Sequence, residues 1–280
     1  MSFPDVDKAL LTGFADGVKW EKFLRDLIGA VGDNADAFDL HLLDFMPHGI
    51  DNAGFHNSIY RGKDFGGAPT PEQWANIANG KFTDMFIGDF WTINGMQYPI
   101  TAFNYFYNAG DTALTKPHVT LTTAASMYTH KMNNSNTTTG GYMGSLMYAE
   151  GLDQAKTKIK ADFGEHLVKH RKILCNATSE GVADGWVWVD SEVELMNEMM
   201  VFGSVVSGRF TPGVSNRNVG VEKTQLPLFA LRPDAANIRV TYWLQDIVSA
   251  STFARVGSRG YAAYGNASIA LGVRPVFSIS

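Results

Sequence analysis

Near its carboxyl end the chain has the residue types of a binding surface. Residues 249–268 place tyrosines, arginines, serines and an asparagine among five alanines and three glycines, and they contain no Lys, Glu, Gln, Met or Trp. Tyrosine offers a large contact area at a small cost in conformational entropy, while serine, glycine and asparagine adapt their hydrogen bonds to a partner. The predicted ligand-binding residues are Ser251, Arg255, Ser258, Arg259, Tyr261, Tyr264 and Asn266.

Within this set, the two arginines and the two tyrosines are the predicted principal contacts, and Trp243 is predicted to pack beneath them. The same composition is also compatible with a glycine-rich antiparallel edge whose tyrosines point outward without a binding role. The residues alone leave both interpretations open.

Candidate catalytic histidines are few. His166 and His170 have the i, i+4 spacing that places two imidazoles on one helix face, but Glu165 precedes the pair, so the zinc-protease order is absent. We interpret the pair as a solvated helix end, and the basic run 169–172 as the solvated end of an element. His118 and His130 flank a predicted strand and are interpreted as core or loop residues.

Acidic residues alternate at Asp190, Glu192 and Glu194. In a strand they would share one face and suggest a calcium or general-acid cluster, whereas in a helix Asp190 and Glu194 would belong to a polar face. The single cysteine, Cys175, lies in an apolar run and is predicted to be buried and inert. Hydrolase, phosphate-loop and dinucleotide motifs are absent. We predict a protein that is not an enzyme, with no catalytic residue, metal or cofactor.

Composition limits the classes of protein that the chain can belong to. Its 280 residues are 45% hydrophobic and 18% charged, which predicts a folded chain long enough for one large domain and an appendage. A net charge of -5 and a pI near 5.8 disfavour nucleic acid as a partner. Residues 1–5 lack the features of a secretory signal, and no apolar run is long enough to span a membrane. Synthesis in a cytoplasm is expected.

Three C-terminal segments resemble the signature of a known domain. They are Tyr242-Trp243-Leu244-Gln245-Asp246, Phe253-Ala254-Arg255-Val256 and Leu271-Gly272-Val273-Arg274-Pro275-Val276-Phe277. This pattern resembles the end of a C-type-lectin-like domain of phage virion proteins and Firmicutes surface proteins. Some members are targets of diversity-generating retroelements, which mutate adenines. Mutating an AAC-type codon in this way cannot yield the five residue types missing from 249–268, so the resemblance makes this run a candidate variable region.

The resemblance implies an α+β fold, with a C-type-lectin-like (formylglycine-generating-enzyme-like) domain at 58–280. Formylglycine-generating enzymes use a pair of cysteines, and this chain has only Cys175. For calcium-dependent sugar binding, Arg232-Pro233-Asp234 is the nearest match to the usual motif, and the accompanying Trp-Asn-Asp is missing. Residues 1–57 are predicted to form a mainly helical arm for attachment or oligomerisation. Alternatively, the arm packs back on its own domain.

Several elements that position these residues follow from local signals. Thr70 with Pro71 and Gln73 predicts a capped helix, and Asn94-Gly95 predicts the turn of a hairpin spanning 86–103. A second helix is predicted to end at Gly164. Other predicted strands are 119–123, 185–189, 199–205, 226–231, 239–244, 253–256 and 273–279. The predicted core contains the Trp91 hairpin and the terminal strand with Val273, Val276 and Phe277.

The function expected from the resemblance is that of a non-enzymatic phage virion protein, either a head or tail fibre component or a capsid decoration protein. Its C-terminal lectin-like face would bind a host-surface glycan or protein, and its arm would bind other virion proteins. Homotrimers, a virion localisation and no membrane or nucleic acid partner are expected. The alternatives are a purely structural decoration or tail component, whose C-terminal face contacts other virion proteins, and a bacterial surface adhesin.

Overall fold

The computed structural model describes residues 52–211 and 224–280, which form a mixed fold of β-sheets and short helices. These residues belong to one compact unit, Asp51–Ser280. The predicted arm at 1–57 lies outside the described residues, except that 52–57 are part of this unit.

Five α-helices are present in the described ranges. They are α1 (Ala53–His56), α2 (Pro71–Ala78), α3 (Asp153–Phe163), α4 (Glu198–Phe202) and α5 (Pro227–Leu231). A π-helical turn (Met147–Gly151) precedes α3, and 3₁₀ turns follow α3 (Gly164–His166) and α5 (Pro233–Ala236).

The described strands form two five-stranded sheets and one two-stranded ribbon. Sheet order is β1-β2-β3-β12-β7 in the first and β10-β9-β8-β11-β4 in the second, and β5-β6 form the ribbon. All neighbours are antiparallel except β8 and β11. The strands are β1 (Phe90–Ile93), β2 (Met96–Phe103), β3 (Val119–Thr122), β4 (Tyr128–Lys131), β5 (His170–Ser179), β6 (Val182–Ser191), β7 (Val193–Leu195), β8 (Tyr242–Ser249), β9 (Thr252–Val256), β10 (Ala262–Asn266), β11 (Ala270–Val273) and β12 (Pro275–Ile279).

The elements with strong local signals are confirmed. Thr70 caps α2 in a capping box with Gln73. Asn94 and Gly95, with φ of 49° and 77°, form the turn between β1 and β2, and these positive φ angles are those of a type I′ turn. Gly164, with φ of 60°, ends α3. The predicted strands at 119–123, 185–189 and 253–256 correspond to β3, part of β6 and β9.

Two predicted strands are wrong, because their caps favour helices. The segment 199–205 lies largely in α4, where the Asn197 side chain accepts the Met200 N–H and Gly203 ends the helix with φ of 73°. The segment 226–231 forms α5, which begins at Pro227, a residue whose fixed φ suits the first helical position.

The last two predicted strands have different limits from those expected. Arg239 has a φ of 61°, and the strand expected at 239–244 begins only at Tyr242 and continues to Ser249. The segment 273–279 is divided at Arg274 between β11 and β12, which belong to different sheets.

The core consists of three groups of buried side chains. Trp91 and Phe277 share one group, while Val276 belongs to the second and Val273 to the third. All five residues of β12 are buried between β3 and β7. The prediction that these residues lie in the core is confirmed, and the terminal segment contributes to all three groups.

The interpretation of 166–172 as solvated element ends is wrong. His166 lies in a 3₁₀ turn and stacks on Trp74 with ring centroids 3.6 Å apart. His170 begins β5 and stacks on Phe106 at 3.6 Å, and Lys172 is fully buried. The basic run alternates along a strand, so one of its sides faces the protein interior.

Two buried histidines make stability sensitive to acid. His118 accepts the Phe106 N–H at Nε2, and burial lowers its pKa to about 4. Burial, with the charge of Lys172, lowers the pKa of His170 to about 3. Both imidazoles are therefore neutral in the folded protein at neutral pH.

We expect the contribution of these two histidines to lower the free energy of unfolding as pH decreases from about 6.5 toward 4. The unfolded chain binds protons at the two histidines in this range while the folded chain does not, which costs about 1.4 kcal/mol per pH unit for each histidine. Below the folded pKa values the loss is complete. Replacing His170 with Phe keeps the stack on Phe106 and should reduce the slope, measured by urea unfolding at several pH values. An unchanged slope would contradict this assignment.

Candidate functional site

The predicted binding residues lie on and beside a hairpin formed by β9 and β10, which we call the 252–266 hairpin. β9 lies between β8 and β10, and β10 is the edge strand of its sheet. Ala254 pairs with Tyr264, and Thr252 pairs with Asn266. Because paired residues share a sheet face, Tyr264 and Asn266 lie on the same side of the hairpin.

Tyr264 is exposed because it lies on the edge strand. Its partner Ala254 is fully buried, whereas Tyr264 is 59% exposed. The centre of the hairpin is thus fixed by the core, while its outer strand presents a large side chain to solvent.

The turn of the hairpin holds Tyr261 against the backbone. The Gly257 N–H donates to the Tyr261 carbonyl at 2.8 Å, and the Gly260 N–H donates to the Gly257 carbonyl at 2.8 Å. A Cβ atom on Gly257 would lie 2.4 Å from Tyr261 Cζ, so the ring packs directly on this glycine. Tyr261 remains 56% exposed. One side of the Tyr261 ring is therefore held against the turn, and the other side faces solvent.

Arg255 and Ser251 have more internal contacts than the sequence predicted. Arg255 Nε donates to the Tyr264 carbonyl at 2.7 Å, and its side chain is partly buried. The Ser251 carbonyl accepts the Ala267 N–H at 2.9 Å. These two residues hold the hairpin together, while the remaining predicted residues are exposed: Ser258, Arg259, Tyr261, Tyr264 and Asn266.

Trp243 packs beneath Arg255 and next to Gly265, as predicted for the arginine, whereas Tyr264 lies on the opposite face of the sheet. Trp243 pairs with Arg255 across β8 and β9 and is fully buried. Its indole N–H donates to the His130 carbonyl at 2.9 Å, which satisfies its polar atom inside the protein. The hairpin thus rests on a rigid aromatic side chain.

A neighbouring loop supports the base of the hairpin. Asn136 Oδ1 accepts the Ser268 hydroxyl at 2.7 Å, and Thr138 Oγ1 donates to the Ser249 carbonyl at 2.8 Å. The sequence shows this loop only as a polar segment, and its position beside 249–268 depends on long-range pairing. Ile269, which is 39% exposed, adds an apolar side chain that the sequence analysis missed.

The acidic residues at 190–194 do not share a face. Asp190 binds Arg171 at 3.1 Å, while Glu194 is buried in β7 and accepts the Tyr142 hydroxyl at 2.9 Å. Burial raises the pKa of Glu194. In residues 52–211 and 224–280, no three His, Cys, Asp or Glu side chains are grouped to hold a metal ion.

A second pair of acidic groups, Glu198 and Asp246, lies near a cavity of about 80 Å³ that Asp246 lines. The Glu198 carboxylate accepts the backbone N–H groups of Val206, Ser207 and Gly208, so it fixes the loop after α4. Burial, with the nearby Glu198, raises the pKa of Asp246 to about 7. Asp246 can therefore exchange a proton near neutral pH, but the cavity is far smaller than the roughly 300 Å³ of an ordinary ligand pocket.

Cys175 lines the same cavity and is buried, as predicted. Burial raises the pKa of its thiol, and its Sγ–H donates to the Ala177 carbonyl at 3.2 Å. A thiol that stays protonated is a weak nucleophile. The arrangement is that of a packed thiol beside an acid, and the 252–266 hairpin remains the stronger candidate for a functional surface.

Comparison with known proteins gives no relative, since the chain matches no protein-family model, no curated protein and no solved structure. Within the described part of the chain, the helices are too short or too polar to cross a membrane. The resemblance to C-type-lectin-like domains stays a prediction from the residues quoted above.

Gly260 sets the shape of the hairpin turn, since its φ is 86° and a Cβ atom there would lie 3.2 Å from Asn237 Cβ. We expect Gly260→Ala to lower the free energy of unfolding by about 1–2 kcal/mol, because an L side chain is strained at this φ. Gly67→Ala is the matched control, since Gly67 has an ordinary φ and open space around its Cα. Chemical denaturation measures both variants, and equal losses would contradict the role of Gly260.

Proposed function

We propose that this chain is a non-enzymatic phage virion protein that binds a host-surface glycan or protein through the 252–266 hairpin. The observation that carries the proposal is the exposure of Tyr261 and Tyr264, at 56% and 59%. They are the two most exposed tyrosines in the described residues, and both lie on a hairpin whose inner strand, β9, is mostly buried.

The side chains on this surface have suitable chemistry for recognition. Tyrosine rings supply apolar area with a polar end, and the exposed Arg259 supplies charge and several donors. The backbone beneath them is held by β8, Trp243 and the turn glycines, so little order has to be gained on binding. A surface that is already ordered binds with a smaller entropic penalty.

The virion role is supported by the resemblance in the C-terminal segments. In such a role many copies would face the same cell, and a single-site affinity of about mM to μM would be sufficient through multivalent display. The proposed homotrimer and the proposed attachment through residues 1–57 belong to this role.

We expect the Tyr261→Ala, Tyr264→Ala double variant to reduce binding to host cells at least about tenfold, because exposed aromatic anchors contribute most of the energy in small interfaces. Tyr107→Ala is the matched control, since Tyr107 is 42% exposed and lies outside the hairpin. Adsorption of particles carrying each variant measures the effect, and thermal unfolding confirms that each variant is folded.

The alternatives give different results in the same experiment. A double variant that fails to enter particles supports a structural contact with another virion protein, and contradicts the receptor role. Equal adsorption by the double variant and the Tyr107 control would also contradict it.

A further inference from the structure

A cleft of about 260 Å³ lies beside the 252–266 hairpin. Asn237 lines this cleft and also packs against Gly260 of the hairpin turn. Asn237 therefore places one wall of the cleft next to the hairpin turn. Other lining residues that matter for binding are Tyr60, Arg232, Asp234 and Arg274.

Arg274 gives the cleft a buried positive charge. The residue is 2% exposed, with Nε donating to the Thr123 carbonyl at 2.8 Å. Nη1 donates to the Ala235 carbonyl at 3.0 Å and to the Tyr242 hydroxyl at 3.1 Å. All three acceptors are neutral, so the guanidinium is held in a fixed position without being neutralised.

Among the described residues, no carboxylate forms an ion pair with Arg274 and none accepts a hydrogen bond from Nη2. A buried charge without a counter-ion is unfavourable, and stacking of the guanidinium on Phe229 and Tyr242 offsets only part of the desolvation. An anion in the cleft would supply the missing partner, with the two Nη2 donors available to it.

The other described residues that line the cleft carry no excess of negative charge. Asp234 is bound by Arg232 through two hydrogen bonds, of 2.9 and 2.6 Å. The Arg232 guanidinium also lies 4.5 Å from the centre of the Tyr60 ring. With this pair neutral, Arg274 leaves the cleft with a formal charge of about one positive unit, although the whole chain carries -5.

From this geometry we infer that the cleft binds the carboxylate of an acidic saccharide. Arg274 holds the carboxylate through Nη2, since Nε and Nη1 already donate to groups of the protein and fix the guanidinium in place. Tyr60 and Asn237 line the remaining space, and aromatic and amide side chains suit a sugar ring and its hydroxyl groups. The cleft is smaller than a drug-sized pocket of about 300 Å³ or more, which fits one sugar unit. The inference rests on the proposed function in one respect only, namely that the sugar would come from a host-surface glycan.

A titration with defined sugars tests the inference on the full chain. The probes are D-glucuronate, D-glucose as its neutral counterpart, and acetate as the carboxylate without a sugar, each followed by NMR at the Arg274 Nε–H resonance. We expect glucuronate to bind at least about tenfold more tightly than either control, because only glucuronate combines the charge with the ring.

Charge variants distinguish this site from general attraction. Asp234→Asn removes the one carboxylate among the described lining residues and should tighten glucuronate binding about threefold to tenfold. Asp153→Asn makes the same change of charge on α3, on a side chain with the same 65% exposure, and should have no effect. Arg274→Lys keeps the charge but loses the Nη2 donors that the Nε and Nη1 bonds hold in position, and should weaken binding about tenfold.

Each contrary result overturns the inference. If glucose binds as tightly as glucuronate, the carboxylate is not recognised. If acetate binds as tightly as glucuronate, the sugar ring is not recognised. Equal effects of Asp234→Asn and Asp153→Asn indicate general charge attraction. If the Arg274→Lys variant does not fold, the comparison of Asp234→Asn with Asp153→Asn still tests the inference. If host binding depends on Tyr261 but glucuronate does not bind, this inference fails and the proposed function stands. If glucuronate binds but host binding does not depend on Tyr261, only the proposed function fails.

Discussion

Arg274 joins the two large sheets of this protein at the point where the chain passes from one to the other. It follows β11 of the second sheet and precedes β12 of the first. Its guanidinium binds the carbonyl of Thr123, just after β3 in the first sheet, and the hydroxyl of Tyr242 in β8 of the second. One buried side chain thus fixes both sheets relative to each other. Because β8 pairs with β9, this contact also helps to position the 252–266 hairpin.

The same side chain links the stability of the fold to the charge of the proposed binding cleft. A guanidinium bound only to neutral oxygens orders the protein, but it also keeps an uncompensated charge beneath a cleft. A hydrophobic residue would avoid the desolvation penalty, although it could not bind two carbonyls and a hydroxyl in different segments. The cleft is therefore a consequence of how the sheets are joined, and its chemistry is set by the framework and not by the exposed loops.

Sequence patterns predicted those elements whose ends are decided locally. The capping box at Thr70, the turn at Asn94-Gly95 and the stop at Gly164 need only near neighbours. The strand prediction for 199–205 is wrong because an apolar run of this length is compatible with a strand or a helix. The Asn197 cap favours the helix. The exposed tyrosines followed from composition, whereas the cleft could not be predicted, since its residues come from six separate segments of the chain.

The burial of the inner strand limits which positions of 249–268 can vary. Phe253, Ala254 and Val256 are fully buried in the core, while Ser258, Arg259, Tyr261, Tyr264 and Asn266 are exposed. Buried positions cannot accept the charged residues that adenine mutation produces, because an unpaired buried charge destabilises the fold. If this run is diversified, useful variation is confined to the turn and to alternate residues of the edge strand β10. An edge strand suits this role, because its outward side chains can change while its pairing with β9 uses only backbone groups.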